Sequence, residues 1–212
     1  MIRWARVDLA TGDLRHEGGD EQLPAASTIK LFVASAFWRS GLDPAEIVDV
    51  EPTGESYVEA LRAPLPLGDL ATLMLAVSDN AATNALLARV GFAAVNAEIR
   101  RLGLERTVVR RPMLAAGPEN LTTAADLARG LAALAGDDRI VGPLRLSQHS
   151  DLPALLAEDV EVASKSGDLP SVRHEVSLLS QGERRVVLAV CSSPPALPAE
   201  IAARAVDLWH ES

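Results

Sequence analysis

Between Ser27 and Trp38 the chain reads Ser-Thr-Ile-Lys-Leu-Phe-Val-Ala-Ser-Ala-Phe-Trp, a helical stretch that is apolar on nearly every face. A helix of that kind does not lie on a surface; other elements must wrap it on all sides. The chain has the means to do so, with 212 residues of which 48% are hydrophobic. That is enough for one domain, or for two small lobes sharing a core. Arg3 to Leu9 alternates, Ala10-Thr11-Gly12-Asp13 is a turn, and Leu14 to Glu17 reads as the return strand of a hairpin. Glycine and proline break 41–68 repeatedly, so that stretch is expected to be loops with at most short helices. Helices are expected over 69–77, 81–89, 93–102 and 124–135, with Gly91, Gly103 and Gly136 as stops and Thr122-Thr123 as a cap. The stretch 137–158 suggests one or two short helices. Val160 to Ala163, His174 to Ser180 and Arg184 to Cys191 read as strands, and Glu200 to His210 as a terminal amphipathic helix. Strands, helices, strands and a final helix give an α+β fold. Its antiparallel sheet comes from both chain ends, 1–26 and 160–212, with the terminal helix, and an all-helical lobe, 27–159, is inserted between them.

Charge and composition narrow the function. A formal net charge of -9 argues against a nucleic-acid surface and against attraction to anionic lipid. Cys191 is the only cysteine, so neither an internal disulfide nor a Cys-rich metal site is available. His16, His149, His174 and His210 are scattered without ligand spacing, and neither a metal nor another cofactor is expected. No run approaches the roughly 20 apolar residues of a membrane span. The start Met1-Ile2-Arg3-Trp4 lacks the features of a secretory signal. The expectation is a cytoplasmic protein as written, or a periplasmic or secreted one if the chain is a trimmed mature form.

Lysine usage points to chemistry. Of the 20 Lys plus Arg, only Lys30 and Lys165 are lysines, which leaves 20 − 2 = 18 arginines. Arginine serves wherever positive charge suffices, but a guanidinium cannot be deprotonated and cannot replace a lysine that must act as a base. Both lysines fall in short motifs. Ser27-x-x-Lys30 puts a hydroxyl and an amine on one helix face. Ser27 sits where free N–H groups favour negative charge, and Lys30 is desolvated among Leu31, Phe32 and Val33, which lowers its pKa. Ser78-Asp79-Asn80 joins two helical segments and offers a hydroxyl and an amide for proton transfer and for holding a carbonyl. Lys165-Ser166-Gly167 follows a short strand, with an ammonium and a hydroxyl able to hold a carboxylate and a glycine that lets a ligand approach the backbone. Each has a plainer reading. They are an N-cap serine with a snorkelling lysine, an N-cap for the helix from Ala81, and a turn.

Taken together the three motifs resemble the S-x-x-K, S-D-N, K-[ST]-G set of class A serine β-lactamases and penicillin-binding proteins. They occur in order, 51 and 87 residues apart, and contain both lysines of the chain. The flanking segments Pro24-Ala25-Ala26-Ser27, Leu70 to Met74, Ala81 to Asn84 and Asn120-Leu121-Thr122-Thr123 fit the same family. The resemblance covers nearly the whole chain and implies the serine β-lactamase fold. By the same resemblance Ser27 is the acylated nucleophile, Lys30 its base or relay, and Ser78 the donor toward the leaving group. Asn80 then holds the acyl side chain, and Lys165 and Ser166 bind a carboxylate. Gly167 lies against the ligand, and the backbone N–H groups of Ser27 and Asp168 form the oxyanion hole. Arg173, on the following strand, either adds charge for a carboxylate or is a solvated strand residue.

Two features depart from the family. The sequence as written opens in its first strand, so the family's N-terminal helix, which packs on the sheet, is not expected in it. The E-x-x-L-N segment that carries the deacylating glutamate does not occur either. Glu119 is the sole carboxylate of 111–119, and it stands beside Asn120, at the wrong place. The expectation is therefore a monomeric serine hydrolase that acylates Ser27 with a small ester or amide, or with a β-lactam that it deacylates poorly. The alternatives are a sensor or trap that binds a β-lactam or peptide without turnover, and a D-Ala-D-Ala peptidase.

Overall fold

The computed structural model describes residues 1–54, 56–61 and 63–211. Strands β1 (Ile2–Asp8) and β2 (Leu14–Glu17) form the opening hairpin. A two-residue strand β3 (Leu23–Pro24) leads into a 3-10 turn, Ala26–Ile29, and helix α1 (Lys30–Arg39). The broken stretch that follows holds a two-residue ladder, β4 (Ile47–Val48) with β5 (Leu65–Pro66), around the short helix α2 (Tyr57–Leu61). Helices α3 (Leu67–Ala76), α4 (Asn80–Val90) and α5 (Phe92–Arg101) come next. Strand β6 (Leu121–Thr122) pairs with β3, and α6 (Ala124–Leu134) and α7 (Asp138–Arg145) follow. The chain ends with β7 (Glu161–Leu169), β8 (Val172–Gln181), β9 (Arg184–Ser192) and α8 (Pro198–His210).

The result is α+β, with a five-stranded antiparallel sheet in the order β2-β1-β9-β8-β7. Both chain ends contribute, because β1 lies beside β9. Alternation along β9 decides what each face covers. Val187, Ala189 and Cys191 face the large core that includes α1 and α6, whereas Val186, Leu188 and Val190 pack on Ile201, Ala205 and Leu208 of α8. Helix α1 is buried from Lys30 through Phe37, as its all-round apolarity requires. Gly130 of α6 lets Phe32 approach closely: a Cβ there would sit 2.4 Å from the ring.

One local expectation is corrected and another is sharpened. Lys165-Ser166-Gly167 is not a turn after a four-residue strand; it lies inside β7, with Lys165 opposite Val176, Ser166 opposite Glu175 and Gly167 opposite His174. The segment Ser-Lys-Ser-Gly-Asp has little intrinsic strand preference, and pairing along the whole length of β8 overrides it. The N-cap expected from Ser78-Asp79-Asn80 is supplied by Asp79, whose Oδ1 accepts from Ala82 N at 2.8 Å, and α4 starts at Asn80. Ser78 instead takes a left-handed backbone conformation with φ 58°.

Candidate active site

The edge strand β7 runs directly against the start of α1, and Gly167 permits the contact. A Cβ on Gly167 would meet Ser27 N at 2.9 Å and Thr28 N at 3.0 Å, both backbone atoms that cannot move aside cheaply. Ala26, just before the nucleophile candidate, has φ 48°, a strained conformation for a residue with a side chain. Thr28 Oγ1 donates to Ala25 O at 2.6 Å and helps fix the turn. Ser27 is thereby held half-buried at the mouth of a cleft of ≈ 200 Å³ lined by Ser27, Ser78, Asn80, His149, Ser166, Gly167 and Asp168.

Lys30 lies behind this cleft with 0% exposure. Its Nζ donates to Ser78 O at 2.5 Å, to Asn80 Oδ1 at 2.8 Å and to Ser78 Oγ at 3.1 Å. Burial, and secondarily the positive charge of Lys165, hold its pKa well below the usual lysine value; Asp79 opposes them. Lys165, 1% exposed, donates from Nζ to Ser78 Oγ at 3.0 Å and to Ser166 O at 2.9 Å. Burial lowers its pKa to about 7 against the pull of Asp168 and Glu175. The two lysines thus meet at one hydroxyl, Ser78 Oγ. Among the described residues no hydrogen bond joins Ser27 Oγ to Lys30, whose contacts are all with the Ser78-Asn80 segment.

Asp79 holds that segment in place. Besides capping α4 it accepts through Oδ2 from Ser56 Oγ at 2.7 Å and Tyr57 N at 2.8 Å, tying the broken stretch to the site. Asp168 extends the cleft at its exposed rim, where its Oδ1 accepts from Arg173 Nε at 2.5 Å. Arg173 Nη1 donates to Ala196 O at 2.6 Å. This guanidinium, read from the sequence as either added charge for a carboxylate or a solvated strand residue, is hydrogen-bonded to protein oxygens through Nε and Nη1.

The loop 111–119 places no carboxylate in the cleft. Glu119 binds Arg111 Nη2 at 2.7 Å with 45% of its side chain exposed. Asn120 Oδ1 turns back to accept from Arg110 N and Arg111 N. Among the described residues no group of three or more His, Cys, Asp or Glu has the arrangement of a metal site, and none of the helices is long and apolar enough to cross a membrane. Burial pushes the Cys191 thiol up to about 12, where it is an inert core residue. Sequence analysis brought Ser27, Lys30, Ser78, Asn80, Lys165, Ser166, Gly167 and Asp168 to this place. It missed the strain at Ala26 and at Ser78, and the anchoring by Ser56 and Tyr57. It also missed His149, which lies in the unclear stretch 137–158 and carries no motif.

A half-buried serine at a helix start, held by the strained Ala26 before it, a buried lysine behind it and a second lysine on an edge strand define the class of serine β-lactamases and penicillin-binding proteins. A family model described as the β-lactamase enzyme family matches residues 2–208, and the chain belongs to that family. No curated protein matches the sequence. Solved structures do. A mutant of the last common ancestor of Gram-negative bacteria class A β-lactamase is 25% identical over 100% of this chain and 94% of that one, with a TM-score of 0.88. The β-lactamase of Sphaerobacter thermophilus is 25% identical over 98% and 91%, with a TM-score of 0.83. A PBP-A mutant, described as an acyl-enzyme complex with penicillin G, is 25% identical over 99% and 90%, with a TM-score of 0.85.

Proposed function

We propose that the protein is a serine hydrolase that forms an acyl-enzyme on Ser27 with a small ester, amide or β-lactam. The single observation that carries this is the fully buried Lys30 whose Nζ reaches Ser78 and Asn80 beside Ser27. Burial holds the pKa of this amine well below that of a solvated lysine, which favours the neutral form that can accept a proton. With one proton lost, two N–H bonds remain for Ser78 O and Asn80 Oδ1, and the lone pair is free for a hydroxyl proton.

In acylation, Ser27 Oγ bonds to the substrate carbonyl carbon while its proton passes to Lys30 Nζ. The oxyanion is received by the N–H groups of Ser27 and Asp168. Collapse breaks the bond to the leaving group, which takes a proton from Ser78 Oγ, and Lys30 reprotonates Ser78. Lys165, whose Nζ donates to the same hydroxyl from the other side, supports this transfer. Asn80 holds the acyl side chain.

Deacylation requires a positioned, activated water, and Glu119 is turned toward Arg111. General-base assistance is typically worth about 10²–10⁴-fold, so a bulky β-lactam acyl group should be released slowly and a small ester faster. The same observation favours a second reading, a β-lactam-binding sensor or trap with little turnover. The test is an intact mass spectrum after incubation with benzylpenicillin and with a set of simple esters. One acyl adduct per chain, absent in Ser27→Ala, is expected. An adduct that survives that substitution refutes the assignment. Fast ester turnover selects the hydrolase over the trap.

A further inference from the structure

Behind Ser166 lies a second cavity of ≈ 90 Å³, continuous with the cleft because His149, Ser166 and Asp168 line both. Its remaining walls are Asp151, Arg173, His174, Glu175, Pro198 and Ile201. Space of that size takes about three water-sized groups. Glu175 is opposite Ser166 in the β7–β8 ladder, so both side chains leave the same face of the sheet. It is 7% exposed, and its Oε1 accepts from Ser150 Oγ and Ser177 Oγ.

The polar groups of this cavity are mostly acceptors. Asp151, Asp168 and Glu175 bring three carboxylates against one guanidinium, and both hydrogen bonds of Arg173 go to protein oxygens. His174, 1% exposed, donates from Nε2 to Pro24 O at 2.9 Å, and its buried Nδ1 has no partner. Burial lowers the pKa of this imidazole against the pull of the Pro24 and Arg173 backbone carbonyls and keeps it neutral, so it adds no positive charge to the cavity. A carboxylate entering here meets like charge, whereas a group rich in N–H donors meets partners.

Resting on the acyl-enzyme reading above, we propose that this cavity is a specificity subsite for a cationic substrate group, a primary or secondary ammonium, with Glu175 as the residue that determines the preference. The family resemblance implied a carboxylate held by Lys165 and Ser166 in the cleft; the proposed subsite lies behind Ser166 and takes the opposite charge. The ammonium would stand beside Ser166, accepted by the free oxygen of Glu175 and by the rim carboxylates.

The experiment uses two matched ester triads, one varied on the acyl side and one on the alcohol side, each ending in an ammonium, a methyl or a carboxylate. At about pH 8, above the value of about 7 to which burial raises the Glu175 carboxyl, kcat/KM is measured for all six. In one triad the ammonium ester should exceed the carboxylate ester by about tenfold or more, a typical effect of a partly desolvated charge pair. Glu175→Gln should reduce that ratio severalfold, and Asp151→Asn, at an exposed position that does not threaten folding, should reduce it less. No ammonium preference in either triad overturns the subsite, as does a preference unmoved by either substitution. If even the methyl esters leave Ser27 unacylated, the hydrolase reading and the subsite fall together.

Discussion

Lys30 and Glu175 are both buried titratable groups flanking the cleft, yet the protein surrounds them differently. Lys30 sits in a closed cradle of one carbonyl, one amide oxygen and one hydroxyl. Glu175 is met by two hydroxyls and faces an open cavity. Desolvation acts on both in the direction of neutrality, lowering the lysine and raising the carboxyl to about 7. In the proposed function the fixed cradle holds this amine as the base, against Ser78 and Asn80. The open cavity leaves the carboxyl available to choose what binds. As proposed, one side of the cleft serves the reaction and the other serves selection.

The largest effect should come from breaking the lysine side. Lys30→Arg keeps charge and approximate length but removes the ability to accept a proton, so acylation of Ser27 should fall by about 10²–10⁴-fold. A variant that keeps more than about a tenth of the rate, a loss under roughly 1.4 kcal/mol, contradicts the base assignment. Gly167→Ala drives a Cβ into Ser27 N and Thr28 N. Misplacing a nucleophile by a fraction of an ångström costs up to about 10²-fold, and the overpacking should lower stability by about 1–3 kcal/mol. Acylation kinetics and denaturant melts check the two parts.

On the carboxyl side the measurable quantity is stability against pH. The unfolded chain releases the Glu175 proton near the ordinary glutamate value of 4.5, while the folded chain holds it until about 7. Between these values the folded state binds more protons, so stability is lost as pH rises through that window and stays lost above it. Glu175→Gln never ionises and escapes the loss. It should match wild type near pH 4 and exceed it by about 2–3 kcal/mol near pH 8. Equal stabilities at both pH values would show that the carboxyl is not held in the interior as described.

Smaller effects distinguish the remaining groups. Lys165→Arg retains a cation at the edge strand and should cost about tenfold in acylation, well below the loss at Lys30. Equal damage at both lysines would erase the distinction between base and field. Glu119→Gln should leave ester and β-lactam deacylation within about twofold, because its carboxylate is spent on Arg111. A selective fall in deacylation there would show that the loop does deliver a base.

The features that were legible in the sequence are those that a local pattern dictates. The apolar run after Ser27, the glycine and proline breaks of 41–68 and the Thr123 cap of α6 were each a matter of neighbours along the chain. Thr123 Oγ1 accepts from Asp126 N at 3.0 Å, as such a cap does. The three motifs located the site because their order and spacing survive without knowledge of the fold. What stayed hidden depends on residues far apart. Lys165 to Gly167 became strand through pairing with β8, a non-local term that outweighs weak propensity. Glu175 looks like any strand glutamate until Ser166, Ser150 and α8 close around it. The strain at Ala26 and Ser78 leaves no mark on composition at all.

The central claim is that desolvation leaves Lys30 a neutral amine, and the sequence makes it unusually accessible. With Lys30 and Lys165 as the only lysines, a protein labelled at lysine Cε and Nζ gives two side-chain signals, assigned through Lys30→Arg and Lys165→Arg. Their NMR titration should give a midpoint of about 7 for Lys165 and one well below the usual 10.5 for Lys30. A Lys30 signal that stays protonated until the pH approaches 10.5 would contradict the account, since an ammonium held through the working range cannot take the proton of Ser27.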